Sequence, residues 1–535
     1  MSMLLTPPAP ATSTTRPALF TPLRLTILLG ILTLALLFRL PGLSEFGFSE
    51  DEVAKLRAID AYRQHDFTAN TEHPMLMKLA MWASLDASAA WNASVGPSLQ
   101  IAPEAALRLP NAIGGTIVVL GVYVAAALLF EPAVGVTAAF FVASDPTVIS
   151  VNRLGKEDTF LVMFFVLAVA CYERAKVVWA SNPRAARWLY NGAGICFGLM
   201  LASKYMPHLW GLYGLFNLVT MPDAGSNAPR NRHFYPLMLA AFLLANFAIL
   251  LPDTWRYVAQ YVQGTRQSHH GHPYDGRVYV NAASVVIWGV PWTYYFRMIA
   301  TKMPLVVLAA SIPAIPLLVT RRRERGFVWL RVFLVIQLIG YAVFAAKFQR
   351  YALPLLIVID VLAAVGAIAT LGWIRERAWL PASGRAVISA AVAAAVVMLV
   401  LQAPLASAPH FSLYRNPLGA GRPAASVYPE EVYDFGVREA VAEVGAAAGH
   451  GATIVSDADM VVDHYLRQAA RPDLTSRSLS QYGLAAHGEQ WVLVQNSHLS
   501  FENADLVAQL RAQVPPWRRY RLDGVTAVEV FKVAR

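Results

Sequence analysis

Ser49-Glu50-Asp51-Glu52 follows the first long apolar run, and Glu72-His73-Pro74 lies some twenty residues on. A carboxylate at the edge of a bilayer, partly removed from water, is suited to take the proton of a hydroxyl as that oxygen forms a new bond. Glu72 and His73 side by side could orient such a base, touch a phosphate or hold a metal. The plain alternatives are an acidic first turn favoured by the helix dipole and a helix start beginning near proline. Cations recur in the same way. Arg108 precedes the second long apolar run, Arg153 and Asp158 bracket a turn containing Gly155 and Lys156, and Lys204 and Arg350-Tyr351 interrupt apolar sequence. Each could hold a phosphate through charge-assisted hydrogen bonds. Snorkelling at the interface competes as an explanation, most strongly for Lys156. His269, His270 and His272 cluster in a later loop, where metal or phosphate contact and a solvated loop are equally good readings.

These residues sit in a chain built for a membrane. Of 535 residues, 56% are hydrophobic and 15% charged, with mean hydropathy +0.44. Soluble proteins carry about a quarter charged residues. The net charge of +10 lies mostly in short loops between apolar runs, where it reads as an orientation signal and not as a nucleic-acid surface. Cys171 and Cys196 both fall inside apolar runs, which excludes a disulfide framework, and neither a Cys/His zinc spacing nor a P-loop is present.

Apolar runs near 23–40, 109–130, 133–150, 159–179, 188–203, 206–221, 234–251, 303–320, 327–345, 351–373 and 385–402 suggest about eleven transmembrane helices. The first is read as an anchor and not a cleaved signal. Arg321, Arg322, Arg323 and Arg325 mark the cytoplasmic side most strongly. The N-terminus is then cytoplasmic and the C-terminus outside. Loops 41–107 and 252–302, the Arg153–Asp158 turn, Lys204 and Arg350 gather on the outer side. No nucleotide is available there, so sugar or phosphate chemistry must draw on a lipid-carried donor. Val53, Leu56, Ile59 and Tyr62 predict a short helix on the membrane surface. Trp288, Trp292, Tyr294 and Tyr295 predict an interfacial aromatic cluster. Residues 403–535 change in character. Strand-like runs at Ala452–Ser456, Trp491–Gln495 and Val525–Val533 alternate with helical runs at Pro429–Ala447, Met460–Gln468 and Ala504–Val514. They predict a small soluble α/β domain attached to a transmembrane unit of residues 1–402.

Taken together, several segments resemble protein O-mannosyltransferases: Asp51-Glu52 with Glu72-His73-Pro74, Arg108-Leu109-Pro110, Asn152-Arg153-Leu154 with Asp158, Gly198–Lys204, His272-Pro273-Tyr274, and Pro291–Tyr295 with Lys302-Met303-Pro304. Arg350-Tyr351 with Pro354 is similar to a late loop of the related aminoarabinose transferases. The resemblance spans about residues 20–360. Met75 stands where those enzymes carry a second proline, and residues 403–535 are outside their common core.

The resemblance implies a GT-C fold and a bacterial inner-membrane enzyme, inverting, that transfers a monosaccharide from a polyprenyl-phosphate donor. It implies Asp51 as base, supported by Glu52 or Glu72. It places Arg108, Arg153, Lys204, Arg350 and Tyr351 at the donor phosphate, with His73, Asp158, His270 and His272 in support. No cofactor is required; a divalent metal on Glu72, His269 and His270 is an option. The acceptor is a protein Ser/Thr hydroxyl or, alternatively, a lipid or cell-envelope glycan. A lipid-sugar flippase or transporter is the rival from another class. Such proteins place polar groups near the bilayer midplane and often show repeated halves, whereas here the charges gather at one face.

Overall fold

The apolar runs become helices, and proline sets where many of them begin. The structure, a computed structural model, describes residues 18–220, 232–263, 271–280, 287–379, 381–421, 425–484 and 488–534. It starts with α1 (Pro22–Arg39), capped by Thr21, whose hydroxyl accepts from the Arg24 amide. The first long loop holds α2 (Glu50–Arg63) and α3 (Leu76–Asn92). Next come α4 (Pro103–Leu129), then α5 (Pro132–Ser144) and α6 (Pro146–Asn152), which are halves of one apolar run bent by 65°. The Asp145 carboxylate caps α6 by accepting from the Thr147 and Val148 amides. After these follow α7 (Glu157–Val178), α8 (Pro183–Ser203), α9 (His208–Thr220) and α10 (Phe234–Ala245). The second long loop contains α11 (Pro252–Val262), an antiparallel hairpin of β1 (His272–Tyr274) and β2 (Arg277–Tyr279), and α12 (Tyr294–Lys302). The helical part closes with α13 (Leu305–Ser311), α14 (Ala314–Thr320), α15 (Arg325–Val343), α16 (Leu353–Arg375) and α17 (Ala382–Ser407). Proline lies in the first turn of α1, α4, α5, α6, α8 and α16, where its missing N–H leaves no intrahelical bond unmade.

Five described helices are long and apolar enough to cross a membrane, or seven if each bent pair is one span. The other four expected runs form α7 to α10, shorter or more polar but helical throughout most of their length. The chain is a mainly helical, multi-pass membrane protein. Its core is the contact zone of α4, α5, α7 and α16, where Val119, Ala138, Val162 and Leu356 are almost fully enclosed.

The C-terminal region is α/β, as its sequence predicts. Its helices are α18 (Val437–Ala447), α19 (Asp459–Gln468), α20 (Leu479–Tyr482) and α21 (Ala504–Gln513), and its strands β3 (Thr453–Val455), β4 (Thr475–Arg477), β5 (Glu489–Gln495), β6 (Arg518–Leu522) and β7 (Val525–Ala534). The sheet order is β4-β3-β5-β7-β6. Strand β3 runs parallel to β4 and β5, and β7 antiparallel to β5 and β6. Two expectations shift. The first helix of this region begins at Val437, because residues 429–436 form a tight strap ending in Gly436 at φ 90°. And α2 does not rest its apolar face on a membrane: Val53, Ile59 and Tyr62 are buried, with α3 and α19 packed on the helix. The expected aromatic cluster also divides. Trp288 and Trp292 are exposed, whereas Tyr294 and Tyr295 are buried, Tyr294 packing against Tyr274 and Tyr428.

The C-terminal region is fastened to the first loop. The Phe48 amide donates to Tyr465 Oη at 2.6 Å, Arg438 donates to the Ser44 and Glu45 carbonyls, and the Phe46 ring stacks on Phe435. Behind this contact a buried Glu431 carboxylate binds both Lys302 and Arg415.

Candidate active site

The geometry of the acidic triplet follows from Glu52. Its carboxylate is fully buried and accepts from the Ser49 amide at 2.9 Å, from Arg108 Nε at 2.7 Å and Nη2 at 2.6 Å, and from the Gly155 amide at 2.8 Å. One side chain therefore joins the start of α2, the start of α4 and the turn after α6. Gly155 allows the approach, since a Cβ there would stand 2.7 Å from Leu107 and 3.0 Å from Glu52 Cγ. Burial alone would raise the Glu52 pKa, but the Arg108 charge and hydrogen bonds outweigh it and hold the carboxyl below its ordinary value.

Three assignments made from sequence are corrected here. Glu52 is the counter-ion of Arg108 and has no surface to offer a substrate. Arg108, expected on the donor phosphate, donates its remaining N–H groups to the carbonyls of Leu43, Phe46 and Gly47. Arg153 is occupied in the same way by the carbonyls of Phe38, Arg39, Pro41 and Gly42. Both guanidiniums hold the chain between α1 and α2 in place, a task suited to five fixed donors.

Anchoring Glu52 on one side turns Asp51 to the other. The Asp51 side chain is 32% exposed, touches Lys156 Nζ and accepts from Tyr433 O–H. Lys156 is buried, its Nζ 5.4 Å from the centre of the Tyr433 ring. Burial, followed by the Arg350 charge, lowers its pKa to about 7, while Glu157, Glu430 and Asp158 pull the other way. Alongside lies a cation pair. Lys204 Nζ donates to Asp158 Oδ1 at 2.7 Å and stands 4.2 Å from the Tyr351 ring centre. Arg350 donates through Nη1 to Glu430 Oε1 at 2.6 Å, with its Nε 3.8 Å from Asp158 Oδ2 and its guanidinium over Phe348 and Tyr351. Asp51, Asp158, Lys204, Arg350 and Tyr351 thus come together at one end of the helices.

Glu72 and His73 fall elsewhere. Glu72 accepts from Asn70 Nδ2 at 2.5 Å, and its other oxygen is buried without a hydrogen-bond partner. His73 Nδ1 lies 3.8 Å from Glu157 Oε1, which Lys55 also reaches at 3.0 Å. Lys55 Nζ donates in addition to the Asp51 carbonyl at 3.2 Å, so these groups support α2 from behind. Among the described residues no hydrogen bond or ion pair joins Glu72 to Asp51. His272 is buried against Phe348 and Tyr294, and burial with the Arg350 and Lys347 charges lowers its pKa to about 3. His269 and His270 lie outside the described residues. Among the described residues no group of three His, Cys, Asp or Glu could hold a metal ion.

Sequence reasoning missed most of what surrounds Asp51. In sequence Lys156 reads as an interfacial lysine, and Lys55 and Glu157 carry no pattern of their own beside Asp51 and Asp158. The C-terminal contribution was invisible. Tyr433 reaches Asp51, Glu430 reaches Arg350, and Asp434 accepts from the Glu50 amide at 2.7 Å and is bound on its other oxygen by His498 Nε2 at 2.5 Å. Burial disfavours the His498 cation, but the Asp434 charge and hydrogen bond, then Glu50 and Asp457, raise its pKa to about 9.

Comparison with known proteins agrees with this architecture. Residues 88–250, which include Arg108, Arg153, Asp158 and Lys204, match the family model described as dolichyl-phosphate-mannose-protein mannosyltransferase. No curated protein sequence matches. Among solved structures, ArnT from Cupriavidus metallidurans in the apo state is 12% identical with a TM-score of 0.51, covering 95% of this chain and 97% of that one. The same protein bound to undecaprenyl phosphate gives 13% and 0.50, with the same coverage. The Archaeoglobus fulgidus oligosaccharyltransferase tethered to an acceptor peptide gives 12% and 0.54, covering 95% of this chain and 74% of that one. The chain has the GT-C fold of integral-membrane glycosyltransferases.

Proposed function

We propose that this chain is an inverting glycosyltransferase that moves a monosaccharide from a polyprenyl-phosphate donor to an acceptor hydroxyl. The observation that carries the reading is the position of Asp51: a reachable carboxylate beside the buried ammoniums of Lys156 and Lys204 and the partly buried Arg350 guanidinium. In the proposed step Asp51 takes the acceptor's hydroxyl proton. The acceptor oxygen bonds the anomeric carbon as that carbon's bond to phosphate oxygen breaks, and polyprenyl phosphate leaves as an anion. Lys204 and Arg350, with Tyr351 beneath them, stabilise the leaving charge where water is largely excluded. Asp158 keeps both cations in register. Glu430 lies on Arg350 in the structure, and the donor phosphate takes its place. Undecaprenyl phosphate bound to ArnT supports a donor of this class.

The acceptor in this reading is a protein Ser/Thr hydroxyl. The acceptor peptide tethered to the archaeal enzyme supports it, and a lipid or cell-envelope glycan hydroxyl is the second reading. Residues 1–402 form the transferase unit and 403–535 a periplasmic domain, in a bacterial inner membrane with the N-terminus cytoplasmic. The chemistry needs no cofactor. A transporter is disfavoured because Asp51, Asp158, Lys204 and Arg350, the groups suited to the transfer, gather at one end of the helices.

The test is consumption of radiolabelled polyprenyl-phosphate sugars by the purified protein, supplied with an envelope extract as acceptor. One sugar of the series should be consumed by wild type and not by Asp51→Asn. Consumption of none, together with no measurable binding of undecaprenyl phosphate, overturns the reading.

A further inference from the structure

We infer that Tyr433, from the C-terminal region, is a positioning residue that sets the proton affinity of Asp51. The inference rests on the reading of Asp51 as the general base. Two independent observations carry it. The Tyr433 hydroxyl donates to Asp51 Oδ2 across 382 residues of sequence. Its backbone has φ +38°, outside the space a bulky side chain normally adopts. Such a conformation persists only where surrounding contacts fix it, and it is found where function has a use for it.

The contacts that fix it are all in place. Ser497 Oγ donates to the Tyr433 carbonyl at 2.6 Å, and the Tyr433 amide donates to the Pro429 carbonyl at 3.0 Å. Next in the chain, Asp434 is clamped between His498 and the Glu50 amide. The strap cannot shift along α2 without losing both of these bonds. The ring is further held by Lys156, whose ammonium lies 5.4 Å from its centre.

A neutral hydroxyl donating to a carboxylate stabilises the charged form and lowers its pKa. Asp51 takes a proton in the reaction, so it must first be ionised. Tyr433 keeps it so at lower pH than the carboxylate would manage alone. A second consequence concerns direction: the hydroxyl and Lys156 share the Oδ2 oxygen of the carboxylate and leave Oδ1 to face the acceptor. The C-terminal region thus helps to set the base, and a transferase unit without it holds the Asp51 carboxylate through Lys156 and not through Tyr433.

The experiment is the pH–rate profile of Tyr433→Phe, measured on the full chain with whichever radiolabelled polyprenyl-phosphate sugar wild type consumes. Phenylalanine keeps the ring and removes only the hydroxyl. The acidic limb should move to higher pH by about one to two units, the equivalent of a hydrogen bond to a charged group. Above the shifted limb the rate should return to within a few-fold of wild type, and the KM for the donor should stay unchanged. A uniform fall in rate with an unmoved limb overturns the inference, as does an unchanged profile. If Tyr433→Phe fails to fold, Ser497→Ala frees the Tyr433 carbonyl, and its limb should move in the same direction by less; an unmoved limb there overturns the inference too. Asp51→Asn separates the two levels. If it is fully active, the reading of Asp51 fails; if it is inactive while the limb of Tyr433→Phe is unmoved, only the role of Tyr433 fails.

Discussion

Asp51 and Glu52 are neighbours with opposite expected behaviour, and the pair of variants Asp51→Asn and Glu52→Gln tests the geometry of the site directly. Glu52 is fully buried and Arg108 nearly so, joined by bonds of 2.7 and 2.6 Å. Removing one charge of a buried pair leaves the other uncompensated and costs about 3–5 kcal/mol. Glu52→Gln should therefore lose that much stability, and its activity should fall because the loop carrying Asp51 loosens. Asp51 is 32% exposed. Asparagine keeps an acceptor for the Tyr433 hydroxyl, and Lys156, with a pKa of about 7, can release its proton when its partner loses charge. The stability loss should stay within about 1–2 kcal/mol, inside the ordinary range for point substitutions. The rate should nevertheless drop about a hundred- to ten-thousand-fold, the usual contribution of a general base. Thermal unfolding in detergent, followed by tryptophan fluorescence, and donor consumption on the same samples separate the two. If Glu52→Gln unfolds like wild type but is inactive, while Asp51→Asn turns over normally, the assignment of the two carboxylates is reversed and the packing argument is refuted.

Lys204→Ala and Arg350→Ala should each weaken undecaprenyl-phosphate binding by about 1.5–3 kcal/mol, whereas Glu430→Gln should strengthen it, since the carboxylate on Arg350 is the phosphate's competitor; unchanged affinity in all three removes these residues from the donor site. The His498 pKa is raised to about 9, so its stabilising charge is complete below the unfolded value near 6.5 and is lost as pH rises through 9. The unfolding temperature should decline across that window in wild type, and His498→Gln should flatten the decline; an equal decline in both places the titration elsewhere. A reporter fused after Arg535 should read as periplasmic and one in the Arg321–Arg325 loop as cytoplasmic, and a cytoplasmic reading at the C-terminus undoes the proposed orientation.

The helices and strands, and several of the residues that meet at one end of the helices, were legible in the sequence. Runs of apolar residues longer than a soluble helix requires must leave water, so the eleven runs were legible, and so was the alternation of strand and helix after residue 403. Charge out of keeping with its surroundings marked Asp51, Asp158, Lys204 and Arg350, which the structure brings together. Which charges neutralise one another is settled by the packing of remote segments. Glu52 and Arg108 are 56 residues apart, and no local pattern shows that a carboxylate beside the reachable Asp51 turns inward to pair with an arginine. The bend at Gly155, the strap at residues 429–436 and the docking of α19 on α2 set those directions. Tyr433 reaches Asp51 because a separate sheet and its helices pack against the first loop. That packing is made by buried area and by hydrogen bonds between remote segments, and neither leaves a period or a spacing in the sequence.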